Sequence, residues 1–242
     1  MHVPPTPDTI VAPQFDLRQK VFLVLAALQV TSLIVANMIG VKLFSIDVAG
    51  IGVEHTAGML PFPITFLLTD LLNEFYGKKA ARMIAWVAFG MALFAFILVS
   101  VARLLPILEG IPGTADERSF ETVFGGSAIM TLCSIVAFLF GSLLDIGVFG
   151  FFKRITGGKM VWLRATGSTV VSQLFDSFVI TILYFQVAQG LIGGEVAGID
   201  FVLRTALTGY ILKFVIAVVL TPAMYGGRAF LRRVVKLEPL PA

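Results

Sequence analysis

Three stretches of this chain carry no charged residue for twenty positions or more. There are 21 such residues between Lys20 and Lys42, 20 between Arg82 and Arg103, and 23 between Glu121 and Asp145. A helix rises ~1.5 Å per residue, so each run reaches across the ~30 Å hydrocarbon core of a bilayer. The remaining composition agrees. Of 242 residues, 57% are hydrophobic and 14% charged, against ~25% charged in soluble domains. An ordinary cytosolic enzyme, a disordered chain and a disulfide-stapled secreted domain are excluded. The last fails also because Cys133 is the only cysteine. The fold class that remains is an all-α integral membrane protein.

The uncharged runs predict spans at about 21–46, 82–105 and 126–152. Three further spans, at about 60–77, 165–189 and 203–226, carry internal charges: Asp70 and Glu74, then Asp176, then Lys213. This gives one six-helix transmembrane domain over 21–227. A proline-rich mobile tail precedes it over 1–20, and a basic tail follows over 228–242. Residues 47–59 read as a glycine-rich loop and 106–125 as a linker. Three helices per half would make related halves inverted. Ile-Gly-Val recurs at 39–41 and 146–148, and those three letters are all that speak for a weak 3+3 inverted repeat. No cleavable signal peptide is expected, since the first apolar run is too long for one.

Basic residues collect in cytoplasmic loops. Arg18 and Lys20, then Lys78, Lys79 and Arg82, then Lys153, Arg154, Lys159 and Arg164, then Arg228, Arg232, Arg233 and Lys236 all fall on one side of the six predicted spans. Arg103, Arg118 and Arg204 fall on the other, with most loop acids. Both termini are therefore expected in the cytoplasm, with the chain a multi-pass protein of the cell inner membrane. The net charge of +3 is split over four short segments, which suits the lipid bilayer as partner and no nucleic acid. The composition is compatible with a homo-oligomer.

Ionisable groups inside a bilayer cost ~2.5–3.5 kcal/mol each on insertion scales. This chain keeps six in its predicted spans: Lys42, Asp70, Glu74, Asp145, Asp176 and Lys213. Counting residues from the span ends puts Asp176 and Lys213 near the midplane. Asp70, Asn73 and Glu74 share one helical face, as do Ser142 with Asp145, Gln173 with Asp176, and Tyr210 with Lys213. Asn37 adds a polar group from the first span. Such faces turn inward, toward one another or toward water. Lys213 could neutralise Asp176 or Asp145 and merely fix helix packing. Three deep carboxylates against one ammonium leave acid over, and a donor-rich or cationic solute would match it. The candidate binding set is Asn37, Asp70, Asn73, Glu74, Ser142, Asp145, Gln173, Asp176, Tyr210 and Lys213. No HExxH or Cys/His cluster occurs, so no metal, no cofactor and no catalytic residues are expected.

Four blocks of the sequence then fit one family. The segment PFPITFLLTDLLNEFYGKKAAR (61–82) resembles the signature of the queuosine precursor transporters, also catalogued as vitamin-uptake transporters. Its core here is Thr69, Asp70, Asn73, Glu74, Tyr76 and Gly77. SIVAFLFGSLLDIGVF (134–149), WLRATGSTVVSQLFDSFV (162–179) and TGYILKFVIAVVLTPAMYG (208–226) are similar to the family's later blocks, in order. The resemblance implies a non-enzymatic secondary transporter importing deazaguanine precursors of queuosine, chiefly the cyano form and its aminomethyl relative. It carries over onto Asp70, Asn73, Glu74, Asp145, Ser172, Gln173, Asp176, Tyr210 and Lys213. Phe138 and Ser142 depart from the pattern, where the family commonly has Tyr and Gln.

Rival readings make different demands. A substrate-binding subunit of a vitamin importer would borrow a separate ATPase, since no GxxxxGK[ST] loop is present. An intramembrane aspartyl enzyme would use Asp145 and Asp176, but the chain has no GxGD. A channel would not saturate.

Overall fold

The computed structural model describes residues 15–48, 51–108, 111, 114–125, 128–157, 160–191 and 193–240. Most of the expected mobile tail thus lies outside the described residues. Helix α1 (Leu17–Ile39) starts earlier than expected because Asp16 caps it. The Asp16 carboxylate accepts from the Gln19 amide at 2.7 Å, and the Gln19 side chain accepts from the Asp16 N–H at 3.0 Å. This reciprocal arrangement satisfies two donors at the helix start.

Instead of a glycine-rich loop, α1 leads into an antiparallel hairpin, β1 (Leu43–Val48) and β2 (Ile51–Thr56). Gly58 seats the base of this hairpin against α1. A side chain there would meet the Ala36 carbonyl at 2.6 Å, closer than any Cβ contact allows.

Helix α2 (Phe62–Arg103) has 42 residues, about twice what one crossing needs. Gly77 breaks it, with φ 82° and ψ 169°, a conformation open essentially to glycine alone. The arms on either side run in opposite directions along α1. On the first arm, Gln29 donates to Thr69 at 3.0 Å and Tyr76 donates to the Arg18 carbonyl at 2.7 Å. On the second, Ala88 and Ala92 pack on Leu33, while Ala81, Ile84 and Ala85 lie lower, in the cluster with Leu25. Gly77 is therefore a hinge between two helices that double back.

Helix α3 (Glu117–Phe124) occupies part of the expected linker. Arg103 at the end of α2 makes a forked pair with its Glu121, at 3.0 and 2.8 Å. Helices α4 (Ala128–Ile155), α5 (Val161–Ile182) and α7 (Ile199–Arg233) complete the bundle. A π-helical turn (Leu183–Ala188) and the short α6 (Gln189–Leu191) follow α5. Pro222 lies inside α7, which stays helical through it.

The described residues thus contain five helical segments long and apolar enough to cross a membrane: Leu17–Ile39, Ala57–Arg103, Glu117–Ile155, Trp162–Leu191 and Ile199–Arg233. Their outer faces expose large apolar side chains such as Val24, Leu28, Phe94, Leu98, Phe151 and Val219. A belt of this kind is stable against lipid and not against water. Both ends of the described chain meet the hinge. Arg18 donates to the Phe75 carbonyl, and the Leu240 N–H donates to the Glu74 carbonyl at 3.1 Å. The bundle accordingly has a hinge side and a hairpin side.

Candidate functional site

The polar faces expected from sequence do turn inward, but into four distinct settings. At the hinge side, Glu74 is 1% exposed and gathers three cations. Arg164 donates to its Oε1 at 2.6 Å, the Arg228 Nε to the same oxygen at 3.1 Å, and the Lys153 ammonium stands 3.2 Å from Oε2. These partners come from α5, α7 and α4, so one carboxylate of α2 fastens four helices. Arg164 itself is fully buried.

Deeper in, Asp145 of α4 is fully buried and accepts from Ser172 of α5 at 3.1 Å. Asn73 donates to the Ile146 carbonyl at 3.1 Å, tying α2 to α4. Ser142 is buried there too.

The third setting is open. A narrow crevice of about 40 Å³ lies between the first arm of α2, α5 and α7, and Asp70, Gln173 and Lys213 line it. Asp70 Oδ1 and both amide atoms of Gln173 are buried with no hydrogen-bond partner among the described residues. Burying such groups unpaired costs ~1–3 kcal/mol each, so their presence in a cavity wall argues for a ligand or water that pairs them. The rings of Phe62 and Phe66, with centroids 4.8 Å apart, form an aromatic part of the same wall.

Toward the hairpin side lies a vestibule of about 610 Å³, lined by Asn37, Phe138, Asp176, Arg204 and Lys213 among others. Lys213 donates to Asp176 Oδ2 at 2.5 Å and sits 4.5 Å from the centroid of the Phe62 ring. Gly141 lets α4 come this close, because a Cβ there would stand 3.3 Å from Asp176 Cβ.

Of the ten expected site residues, Asp70, Gln173 and Lys213 share the crevice. Asn37, Asp176 and Lys213 share the vestibule. Asn73, Glu74, Ser142, Asp145 and Tyr210 line neither space; Tyr210 packs on Phe214, ring centroids 6.3 Å apart. Sequence reading counted Lys153, Arg164 and Arg228 as loop charges, whereas all three turn inward on Glu74. Three cations thus close on Glu74 and Lys213 on Asp176, while Asp70 and Asp145 have no ion-pair partner among the described residues and remain the acid left over. One signal could have found Arg164. It lies four and eight residues before Ser168 and Ser172, extending their polar face by one turn, and all three are fully buried.

Residues 56–227 match the model of a family described as putative vitamin uptake transporter. The chain is 33% identical over 179 residues to a probable queuosine precursor transporter of Bacillus subtilis (strain 168), an alignment covering 73% of each protein. It is 29% identical over 174 residues to a probable queuosine precursor transporter of Haemophilus influenzae, covering 72% of this chain and 68% of the relative. No solved structure matches it.

Proposed function

The chain belongs to the putative vitamin uptake transporter family, and from that premise we propose that it imports a deazaguanine precursor of queuosine across the inner membrane. The observation that carries this reading is the crevice where Asp70 Oδ1 and the Gln173 amide stand buried and unpaired beside Lys213. The crevice itself is narrow in this conformation, about 40 Å³, and opens at Met59, Phe62 and Lys213 on the vestibule of about 610 Å³, which falls in the ~300–1,000 Å³ range of small-molecule sites. A deazaguanine presents adjacent ring N–H and amino donors on one edge, and a carboxylate such as Asp70 accepts both. The Gln173 amide can donate to the neighbouring carbonyl and accept from a ring N–H. Phe62 and Phe66 offer faces for a flat base. Asn37 and Asp176 line its approach through the vestibule. Asn73, Glu74, Ser142, Asp145 and Tyr210 act from behind, as supports of the wall.

The charged groups that line the two spaces are Asp70 and Asp176 against Lys213 and Arg204, a balance that favours a neutral base, so the cyano form is the preferred cargo over the aminomethyl cation. Six crossings with both termini in the cytoplasm suit the reversal at Gly77 and the meeting of both described chain ends at that hinge. The basic residues cluster on that side.

Uptake into cells unable to make the precursor tests this. Saturable import that the cyano base inhibits better than the aminomethyl base or free queuine is expected. Normal import by both Asp176→Asn and Lys213→Met, at full expression, would remove these residues from the site.

A further inference from the structure

The crevice and the vestibule share only Met59, Phe62 and Lys213 in their linings. Asp176 lines the vestibule alone and Asp70 the crevice alone. We infer that Lys213 is a two-position latch between the two spaces, held by Asp176 in this conformation and by Asp70 in the alternate one. The inference rests on the transporter reading above and adds to it how one space opens as the other closes.

The present position is explicit. The Lys213 ammonium is 2.5 Å from Asp176 Oδ2, with the Phe62 ring beneath it. The alternate position is prepared. Among the described residues, Asp70 Oδ1 is buried without a hydrogen-bond partner, and Lys213 is the one Lys or Arg lining the crevice with it. Arg164 is the cation whose charge reaches Asp70 in this conformation, but its guanidinium is engaged by Glu74 at 2.6 Å, which leaves Lys213 as the mobile one. A lysine carries three donors on a flexible four-carbon stem and can exchange partners where an arginine fork would be held. In either position one carboxylate is vacated, and that carboxylate is then free to accept the donor edge of a base. Cargo binding and latch movement therefore compete for the same oxygens, and such competition lets a ligand shift a two-state equilibrium. Lys213 is thus a positioning residue as well as a wall of the site.

Thiol labelling of the full chain in membranes tests the latch without any cargo. On a Cys133→Ala background, Thr205→Cys reports the vestibule and Ala217→Cys the crevice. Each is exposed to a charged methanethiosulfonate in intact cells and in inverted vesicles. In the parent chain the two cysteines should label from opposite faces. Asp176→Asn frees Lys213 toward Asp70, and Asp70→Asn confines it to Asp176. The ratio of the two labelling rates should therefore move about tenfold or more in opposite directions in these variants, and return toward the parent value in Asp176→Glu and Asp70→Glu. Lys213→Met should let both cysteines label from one face, and this variant alone decides the matter where an asparagine variant does not assemble. A ratio that moves the same way in both asparagine variants, or one-sided labelling that persists in Lys213→Met, overturns the latch. Opposite shifts without uptake of any deazaguanine would leave the latch standing and overturn the cargo.

Discussion

Arg164 and Glu74 are ninety residues apart in the chain and 2.6 Å apart in the bundle, both closed off from solvent. The pair joins α5 to the first arm of α2 one turn from the Gly77 hinge. Its neighbours Lys153 and Arg228 make it a four-group cluster that holds the hinge side together.

Removing one partner of a buried pair leaves the other charge stranded, at ~3–5 kcal/mol. Arg164→Met and Glu74→Gln should each lower the melting temperature of the detergent-solubilised protein severely. Arg228→Gln should cost clearly less, because its side chain is 23% exposed and water can replace it. Equal losses for Arg164→Met and Arg228→Gln would contradict the cluster's hierarchy.

Gly77→Ala forces a Cβ into φ 82°, at ~1–3 kcal/mol of backbone strain. The new Cβ would also stand 3.1 Å from Leu240 Cδ1. Folded yield by size-exclusion chromatography should fall, and adding Leu240→Ala should not restore it. Full rescue by Leu240→Ala would mean that crowding, not the backbone, sets the need for glycine.

Gln173 separates stability from function. Both of its amide atoms are buried and unpaired, so Gln173→Leu should leave thermal stability unchanged or raise it. Import should nonetheless weaken by about tenfold or more in apparent affinity, the loss of one or two good hydrogen bonds. An unchanged half-saturation concentration would take Gln173 out of the site.

Gly141 sets the position of Asp176. In Gly141→Ala the added carbon would stand 3.3 Å from Asp176 Cβ, so the Asp176 side chain must give by a few tenths of an ångström and its carboxylate shifts with it. Transport should drop while the melting temperature moves little, with uptake and thermal unfolding measured on the same preparation. A melting temperature that collapses together with uptake would make the contact one of packing alone.

Much of this architecture is legible in the sequence because lipid is a strict solvent. Charge-free runs the length of a bilayer have few alternatives, and a buried ammonium such as Lys213 must find an acid at its own depth. Counting residues places Asp176 there. What was not legible is the set of cations around Glu74. The rule that sends basic residues to the cytoplasmic loops is blind to whether a side chain at a helix end points to water or turns back. Lys153, Arg164 and Arg228 turn back, and all three close on Glu74. The hairpin over 43–56 was hidden for a different reason. Its glycines read as loop, and strand pairing depends on a partner segment that no local period announces. The break at Gly77 lay within a quoted motif, but only a backbone with positive φ explains why glycine stands there.

The Trp162 backbone N–H donates to the Tyr225 hydroxyl at 3.2 Å, and both aromatic side chains are half exposed. Rings of this type settle at the headgroup level of a bilayer. Arg164 and Arg228 follow them by two and three residues. The rivet that fastens four helices is therefore set at the rim of the bilayer and not in its oily interior. A host membrane of different thickness would carry those rings, and the rivet beside them, up or down with its headgroups.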